Sequence, residues 1–594
     1  MTLLARVAFV LLVGATLAAF VVTQHLKRTP PVLLHASARP AFISPNADGV
    51  QDRARIGFET KRHDEATVSI IDESSGDPIR HLGRRIARPH VLVRLAWDGK
   101  DDEGGPAPDG RYRVRVDLRS EGRSITVPGA IVVDRRPPAL SVARVSPRTL
   151  RGPVVLPARG ARGVSVRLRG YFSRAPVLFV YRTDTARPQV VARRLGRPGG
   201  GHLAWEGEIQ GRPAPAGTYV LAVRARDLAG NVATLPARLP PTPSMAVRGL
   251  GVTIRYVSVT PPMVPVAAGA VATFGVDARR RAYVWAVRAQ VGRRALAEGA
   301  SSARRLRVGM SARRAPGGVY ELTVRAGGAR VTTPFVLRAT RRQRVLIVLP
   351  AVSWLGRDPV DDDGDGFPDM LAGGDSIPVS RPFAGPPGGF RRDEAPLLAL
   401  AHASRWRYDV TTDLALAEGR PPRLAGHRGV LLAGAPEWEP APVAEALRGY
   451  VRRGGRVAVL AAGALRRVVT VAGARLLRPS RVADRDAFGV RLGPLRRAVT
   501  ALRTDPVTGA GALLGTLDPA ALGRFEAYEE ILAPGPGARI VGAAVAEDGR
   551  PVLAALRVGR GLLVRTGLPQ WSRRLGRDRA VTAAMRRVWK LLER

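Results

Sequence analysis

The chain has 594 residues, room for three to five domains of ~100–200 residues, and its 45% apolar and 24% charged residues exclude wholesale disorder. Cysteine is absent, which excludes disulfides, thiolate nucleophiles, zinc–thiolate sites and iron–sulfur clusters, and leaves the compartment open. The net charge of +45 rests almost wholly on arginine (the lysines are Lys27, Lys61, Lys100 and Lys590), spread along the chain with no basic stripe, so no nucleic-acid partner is expected.

The first element is a charge-free run over residues 7–22, VAFVLLVGATLAAFVV, between Arg6 and the pair Lys27-Arg28. With Leu3 and Leu4 it reaches about 20 residues, the length a helix needs to cross a ~30 Å hydrocarbon core. The expectation is a signal anchor over residues 1–30, making this a single-pass protein of the cell membrane with its bulk extracellular. A cleaved secretory signal is the alternative.

A repeat organises the next 300 residues. Trp97-Asp98-Gly99 precedes Pro108-Asp109-Gly110-Arg111-Tyr112 and then RVRVDL. Trp205-Glu206-Gly207 precedes Pro215-Ala216-Gly217-Thr218-Tyr219 and then VLAVRA, while Pro316-Gly317-Gly318-Val319-Tyr320 precedes ELTVRA. The tyrosines lie 107 and 101 residues apart, and each opens an alternating run, the period of a half-buried strand. The Pro-x-Gly before each tyrosine makes a turn. These signals predict three β-sandwiches, over 37–136, 139–242 and 246–340. Trp97 and Trp205 are expected as core anchors.

The first copy resembles the immunoglobulin-like module of the flagellar hook-capping (FlgD-type) family, through Ile43-Ser44-Pro45-Asn46-Ala47-Asp48-Gly49-Val50-Gln51-Asp52 and WDGKDDEGGPAPDGRYRVRV. The second closes on Arg226-Asp227-Leu228-Ala229-Gly230-Asn231, similar to the ends of bacterial surface immunoglobulin-like domains. Asn46, Asp48 and Asp52 either surround a calcium ion or make the tight turn into a strand.

From Arg344 the pattern changes. Val345-Leu346-Ile347-Val348-Leu349-Pro350 is a continuous apolar run, typical of a central parallel strand. Helices are predicted over 395–404, 442–453 and 578–592, the last capped by Asp578. Strands are predicted over 408–411, 429–434, 457–460, 540–545, 552–557 and 561–567. Residues 470–535 carry no firm pattern; Tyr528, Glu529 and Glu530 there either end a helix or approach the mouth of the sheet. His427 is expected at the surface. Alternating strands and helices imply an open parallel sheet with any ligand at the carboxyl ends of its strands.

The segments VLIVLPAVSW, YDVTTDLAL and GVLLAGAPEWEPAPVAEALRGYVRRGGRVAVLAAGA resemble the C-terminal domain of the N,N-dimethylformamidase large subunit. That resemblance implies a flavodoxin-like, class I glutamine amidotransferase-like α/β domain over 341–594. An amidotransferase needs a cysteine, absent here, and the turn after residue 460 reads Ala461-Ala462-Gly463-Ala464. The formamidase resemblance implies iron held by tyrosines and a glutamate. Its tyrosine positions fall here on Trp438 and on Arg357 or Asp358, with Glu437 retained, so catalysis is expected to be lost.

The sharpest short motif is DDDGDGFPD. Asp361, Asp363, Asp365 and Asp369, with Gly366 between, can converge on one hard cation, and calcium is the expected structural ligand. Ala372 stands where a helix–loop–helix site has glutamate. The other reading of the motif is a solvated acidic loop. The sequence thus reads as a membrane-anchored extracellular scaffold or binding protein of the bacterial envelope, for a cell-wall polymer, a carbohydrate or a protein. The competing reading is a metal-dependent amidohydrolase or glycan-processing enzyme.

Overall fold

The computed structural model describes residues 3–27, 32–146, 154–156, 163–170, 172–247, 249–279, 281–292, 294–311, 317–374 and 376–594. Arg28 and Pro316, named above, lie outside them. The chain is mostly β, 43% strand and 16% helix.

Three of the expected features are corrected. The N-terminal helix Leu3–Lys27 forms, yet no helix among the described residues is long and apolar enough to cross a membrane. The helix has 25 residues, but its charge-free part, residues 7–22, spans only about 24 Å at ~1.5 Å per residue, short of a ~30 Å core. Beyond them come Thr23, Gln24 and His25. The single-pass anchor, and the cell-membrane localisation drawn from it, are therefore not supported.

The flavodoxin-like α/β domain is the second correction. The C-terminal sheet is mixed, in the order Tyr408–Thr412, Val345–Leu349, Gly429–Leu432, Arg456–Val459, Gly561–Thr566, Pro551–Val558, Ala538–Val545, Arg503–Thr504. The first five strands run parallel and the last three antiparallel. Loop length dictates the change. Only Gly559 and Arg560 separate two of these strands, and residues 546–550 separate the next two. A parallel return needs a crossover of about a dozen residues, so these loops permit only hairpins. Between Arg456–Val459 and Ala538–Val545 the chain makes no long helix. It forms small sheets, pairing Arg467–Ala472 with Arg475–Leu477 and Arg491–Arg496 with Tyr528–Ala533.

Both faces of the parallel strands are covered, which explains their unbroken apolar runs. Leu346 and Val348 pack with Val443, Leu447 and Val451 of the helix Ala441–Arg452. Val345 and Ile347, pointing the other way, pack with Val581, Met585, Val588 and Leu592 of Arg579–Glu593. Asp578 caps that helix through the amides of Ala580 and Val581. His427 is not at the surface: it is buried, and its Nε2 pairs with Asp409 at 2.8 Å.

Upstream, each repeat builds two sheets around one core. In the first, Leu33–Arg39, Ala54–Thr60 and Val93–Trp97 face a sheet centred on Gly110–Leu118 and Asp64–Asp72. Trp97 and Trp205 are fully buried, as expected. Each indole packs against the repeat tyrosine, with ring centroids 5.0 Å apart for Trp97–Tyr112 and 5.4 Å for Trp205–Tyr219. Each indole N–H donates to a carbonyl three residues on, Lys100 or Glu208, and each phenol to a carbonyl four residues back, Pro108 or Pro215. The third repeat has no such tryptophan; in its core Phe274 and Phe335 meet edge-on, with centroids 5.0 Å apart. The second repeat's larger sheet takes in Gly251–Ile254, past residue 242.

The units are joined by specific contacts. Ser44 donates to the Asn231 carbonyl oxygen at 2.5 Å, and the Asn231 amide donates to Asp134 O at 2.9 Å. Both motifs singled out in the sequence, at 43–52 and 226–231, thus meet at the first junction. Asp52 accepts from the amides of Asn46, Ala47 and Gly49, and Asp48 from Val50, so these carboxylates organise a turn. The third repeat docks on the C-terminal unit, where Thr412 donates to Met263 O at 2.8 Å.

Candidate functional site

Two places in the C-terminal unit concentrate chemistry. The first is the acidic loop after the helix Ala351–Arg357. A hairpin-like bridge between Val360 and Asp369 closes it. Arg381, fully buried, clamps its base: the guanidinium donates to the carbonyls of Leu355, Asp358, Val360 and Asp369 at 2.7–3.1 Å and pairs with Asp362 at 2.9 Å.

Within the loop the carboxylates first satisfy backbone. Asp361 accepts from Gly364 and Gly366, Asp363 from Asp365, Asp365 from Phe367, and Asp369 from Asp362. Asp361, Asp363 and Asp369 still bring one oxygen each to within 4.8 Å of one another. Asp365, the remaining one of the four aspartates expected to converge, is not in that group. Asp361 is buried, Asp369 half-buried and Asp363 exposed, so the cluster opens to solvent on one side. Burial, opposed by its backbone hydrogen bonds, pushes the Asp361 carboxyl up to about 7, and burial pushes Asp369 to about 6. Neighbouring carboxylates add to both shifts. Such a group is relieved by a proton or by a cation, and an all-oxygen donor set suits calcium.

The loop is also a wedge. Gly366 stands at φ +88°, and its carbonyl accepts from Thr183 of the second repeat at 2.5 Å. Phe367 inserts among Phe179, Tyr181, Val220 and Ala222. None of residues 361–369 lines the cleft at the carboxyl ends of the parallel strands.

Those ends form the second place, a cleft of about 500 Å³. The turn Leu460–Gly463 makes its floor, with Gly434 and Ala435 beside it. Five arginines line it: Arg357, Arg392, Arg466, Arg467 and Arg573. Three carboxylates line it too, and each is held by two guanidinium groups. Glu437 pairs with Arg357 at 3.0 Å and Arg467 at 3.4 Å. Glu529 pairs with Arg466 at 2.9 Å and with the buried Arg565 at 3.3 Å, and accepts from the Gly463 amide. Asp393 pairs with Arg392 at 2.7 Å and Arg573 at 3.9 Å. Ser353 positions Glu437 by accepting from the amides of Glu437 and Trp438.

The sequence pointed to Glu437 and, as a place where the family has tyrosine, to Arg357, but not to the other arginines of the cleft. Trp438 is buried, with the Arg467 guanidinium over its ring at 5.3 Å. Glu529 lies on the strand Tyr528–Ala533 at the mouth of the sheet, one of the two places left open for it. Glu394, Asp413 and Glu439 are three further buried acids of the same unit, and the sequence assigned none of them a role. Burial, reinforced by Asp393, pushes Glu394 up to about 8. Burial likewise raises Asp413 and Glu439, each of which repels the other's charge.

Comparison with known proteins gives one family. Residues 304–551 match the model of the N,N-dimethylformamidase beta subunit-like, C-terminal family. The match opens inside the third repeat and covers the acidic loop and most of the cleft, but not Pro569, Ser572 and Arg573 of its lining. No curated protein matches the chain. Solved structures similar in part include the exo-β-1,4-mannosidase Op5Man5 from Opitutaceae bacterium strain TAV5. It is 14% identical, with 42% of this chain and 35% of that one covered, at a TM-score of 0.25. This chain thus spans about a third of the mannosidase. The human OSCAR ligand-binding domain is 17% identical, with 33% and 92% covered, at 0.20. A 1.5-MDa bacterial ice-binding adhesin is 12% identical, with 52% and 96% covered, at 0.22. Scores this low carry no argument about this chain.

Proposed function

We propose that the protein is a non-catalytic binding scaffold, in which three β units hold the dimethylformamidase-like unit in a set orientation and calcium staples the acidic loop that locks it there. The observation that carries this reading is the convergence of Asp361, Asp363 and Asp369 in a loop wedged into the second repeat. An ion there would be structural, because no residue of the loop lines the strand-end cleft and calcium is a poor generator of hydroxide.

The cleft supports the non-catalytic half of the reading. Iron, which the family resemblance implies, does not fit its residues: Glu437 is committed to two guanidinium groups, and those two positive charges would repel a metal cation. The lining holds no cysteine and no histidine. Its carboxylates are all paired with arginine, which suits the binding of a ligand better than proton transfer.

The test is elemental mass spectrometry on the purified chain and on D361N/D363N/D369N, with melting temperature followed with and without chelator. Stoichiometric calcium in the parent, lost in the variant, with a chelator-lowered melting temperature, is the expected result. Bound iron or zinc in both proteins, or turnover of amide or glycoside substrates, overturns it.

A further inference from the structure

We propose that the strand-end cleft binds an oxyanion, a carboxylate or a phosphate carried on a ligand of about monosaccharide size. The inference rests on the binding reading above and names its ligand class. Five arginines against three carboxylates leave two positive charges in excess inside a cavity of about 500 Å³. A cavity with low-dielectric walls focuses such a field and raises the local anion concentration.

The arginines are also held in place. Each lining carboxylate grips two guanidinium groups, so it orients them without cancelling the excess. Arg357 and Arg467 flank Glu437 on one side of the cleft, and Arg392 and Arg573 flank Asp393 on the other. These four come from separate segments, 357, 392, 467 and 573, and their side chains keep 28%, 53%, 20% and 44% exposure. The ion pair of Arg573 with Asp393 is long, 3.9 Å through Nε, and its side chain is 44% exposed, so the guanidinium can offer its other donors to a bidentate pair. Volume limits the ligand: the cleft suits one sugar or a small acid.

The experiment is calorimetric titration of the full chain with three probes, sodium glucuronate, inorganic phosphate and glucose, at near-physiological ionic strength. Saturable binding of glucuronate or phosphate, with no heat from glucose, is the expected result, and the preferred anion tells a uronate source from a phosphate one. R573Q and R467Q should each weaken that binding at least about tenfold. R539Q, which removes the same charge from an exposed site elsewhere on the sheet, should change it less than about twofold. Equal weakening by R539Q overturns the proposal in favour of diffuse attraction to the basic chain, and so does the absence of saturable anion binding. Glucose binding without the anions overturns the ligand class and leaves the binding reading standing. Consumption of a probe overturns the binding reading itself.

Discussion

The Thr183 hydroxyl of the second repeat donates to the carbonyl oxygen of Gly366, 183 residues away at the tip of the acidic loop. Thr183 also meets Thr218 at 2.8 Å, so the contact belongs to a buried hydroxyl pair. Around it the two backbones nearly touch: a Cβ added to Gly251 would lie 2.2 Å from Gly366 N and 2.4 Å from Gly364 O. The only side chain that fits there is hydrogen.

Gly251→Ala is therefore expected to push the loop off the second repeat. The obstacle is backbone, which cannot rotate aside as a side chain would. The cost should be at least about 2 kcal/mol. Thr183→Val removes only the hydroxyl's hydrogen bonds, to Gly366 and Thr218, and should cost about 1–2 kcal/mol. Thermal melting gives the order, and limited proteolysis should cut the acidic loop faster in the alanine variant. Equal stability of Gly251→Ala and parent would refute the wedge.

Arg381→Met is expected to be more damaging than its volume suggests. The side chain is fully buried and answers four carbonyls and Asp362. Methionine leaves them without a partner, at a cost of about 3–5 kcal/mol. Arg381→Lys should recover little, because an ammonium cannot span the fork. Chemical denaturation of the three proteins checks this order.

Glu394 sets a pH dependence. In the folded chain its carboxyl keeps a proton up to about pH 8, against 4.5 for the ordinary group. Between those values the folded state holds the extra proton, so stability is full below about pH 4.5 and falls as pH rises toward 8. Each tenfold change in proton affinity is worth ~1.4 kcal/mol, so the loss is on the order of a few kcal/mol. Glu394→Gln should flatten the fall and melt higher than the parent at pH 8. Melting curves across that range decide it, and a parallel fall in the variant would assign the slope to other acids.

Trp97→Ala is expected to cost the first repeat about 3–5 kcal/mol. The indole is fully enclosed, packs edge-on against Tyr112 and donates to Lys100 O. Unfolding followed by calorimetry should show an early transition for that repeat, with Trp205 and the second repeat left in place. A uniform shift of the whole profile would mean that the units melt as one.

Much of the strand and helix placement was legible because its signals are local. The alternating run after Tyr112 and Tyr219, the apolar run at 345–349 and the Asp578 cap each depend on neighbours within a few residues, and each forms where expected. The direction of the last strands was legible too, in the two-residue gap at Gly559-Arg560. It was obscured by taking the alternation of strands and helices, which implies parallel pairing, to hold for the whole unit. His427 was misplaced because its partner Asp409 lies 18 residues away. The motif at 361–369 was read as one site, yet Asp365 turned to cap Phe367 and left three carboxylates together.

By itself the sequence determined the repeat, the tryptophan–tyrosine cores, the acidic loop and the length of the charge-free N-terminal run. Each follows from chain-local periodicity, turn chemistry or rise per residue. The tertiary structure alone decided the wedge of Gly366 on Thr183 and the cleft of Arg357, Arg392, Arg467 and Arg573. Arginines so far apart in sequence carry no joint signal in the chain. They meet because burial of two apolar sheet faces fixes where each strand ends, and charge pairing with Glu437 and Asp393 then sets the side chains.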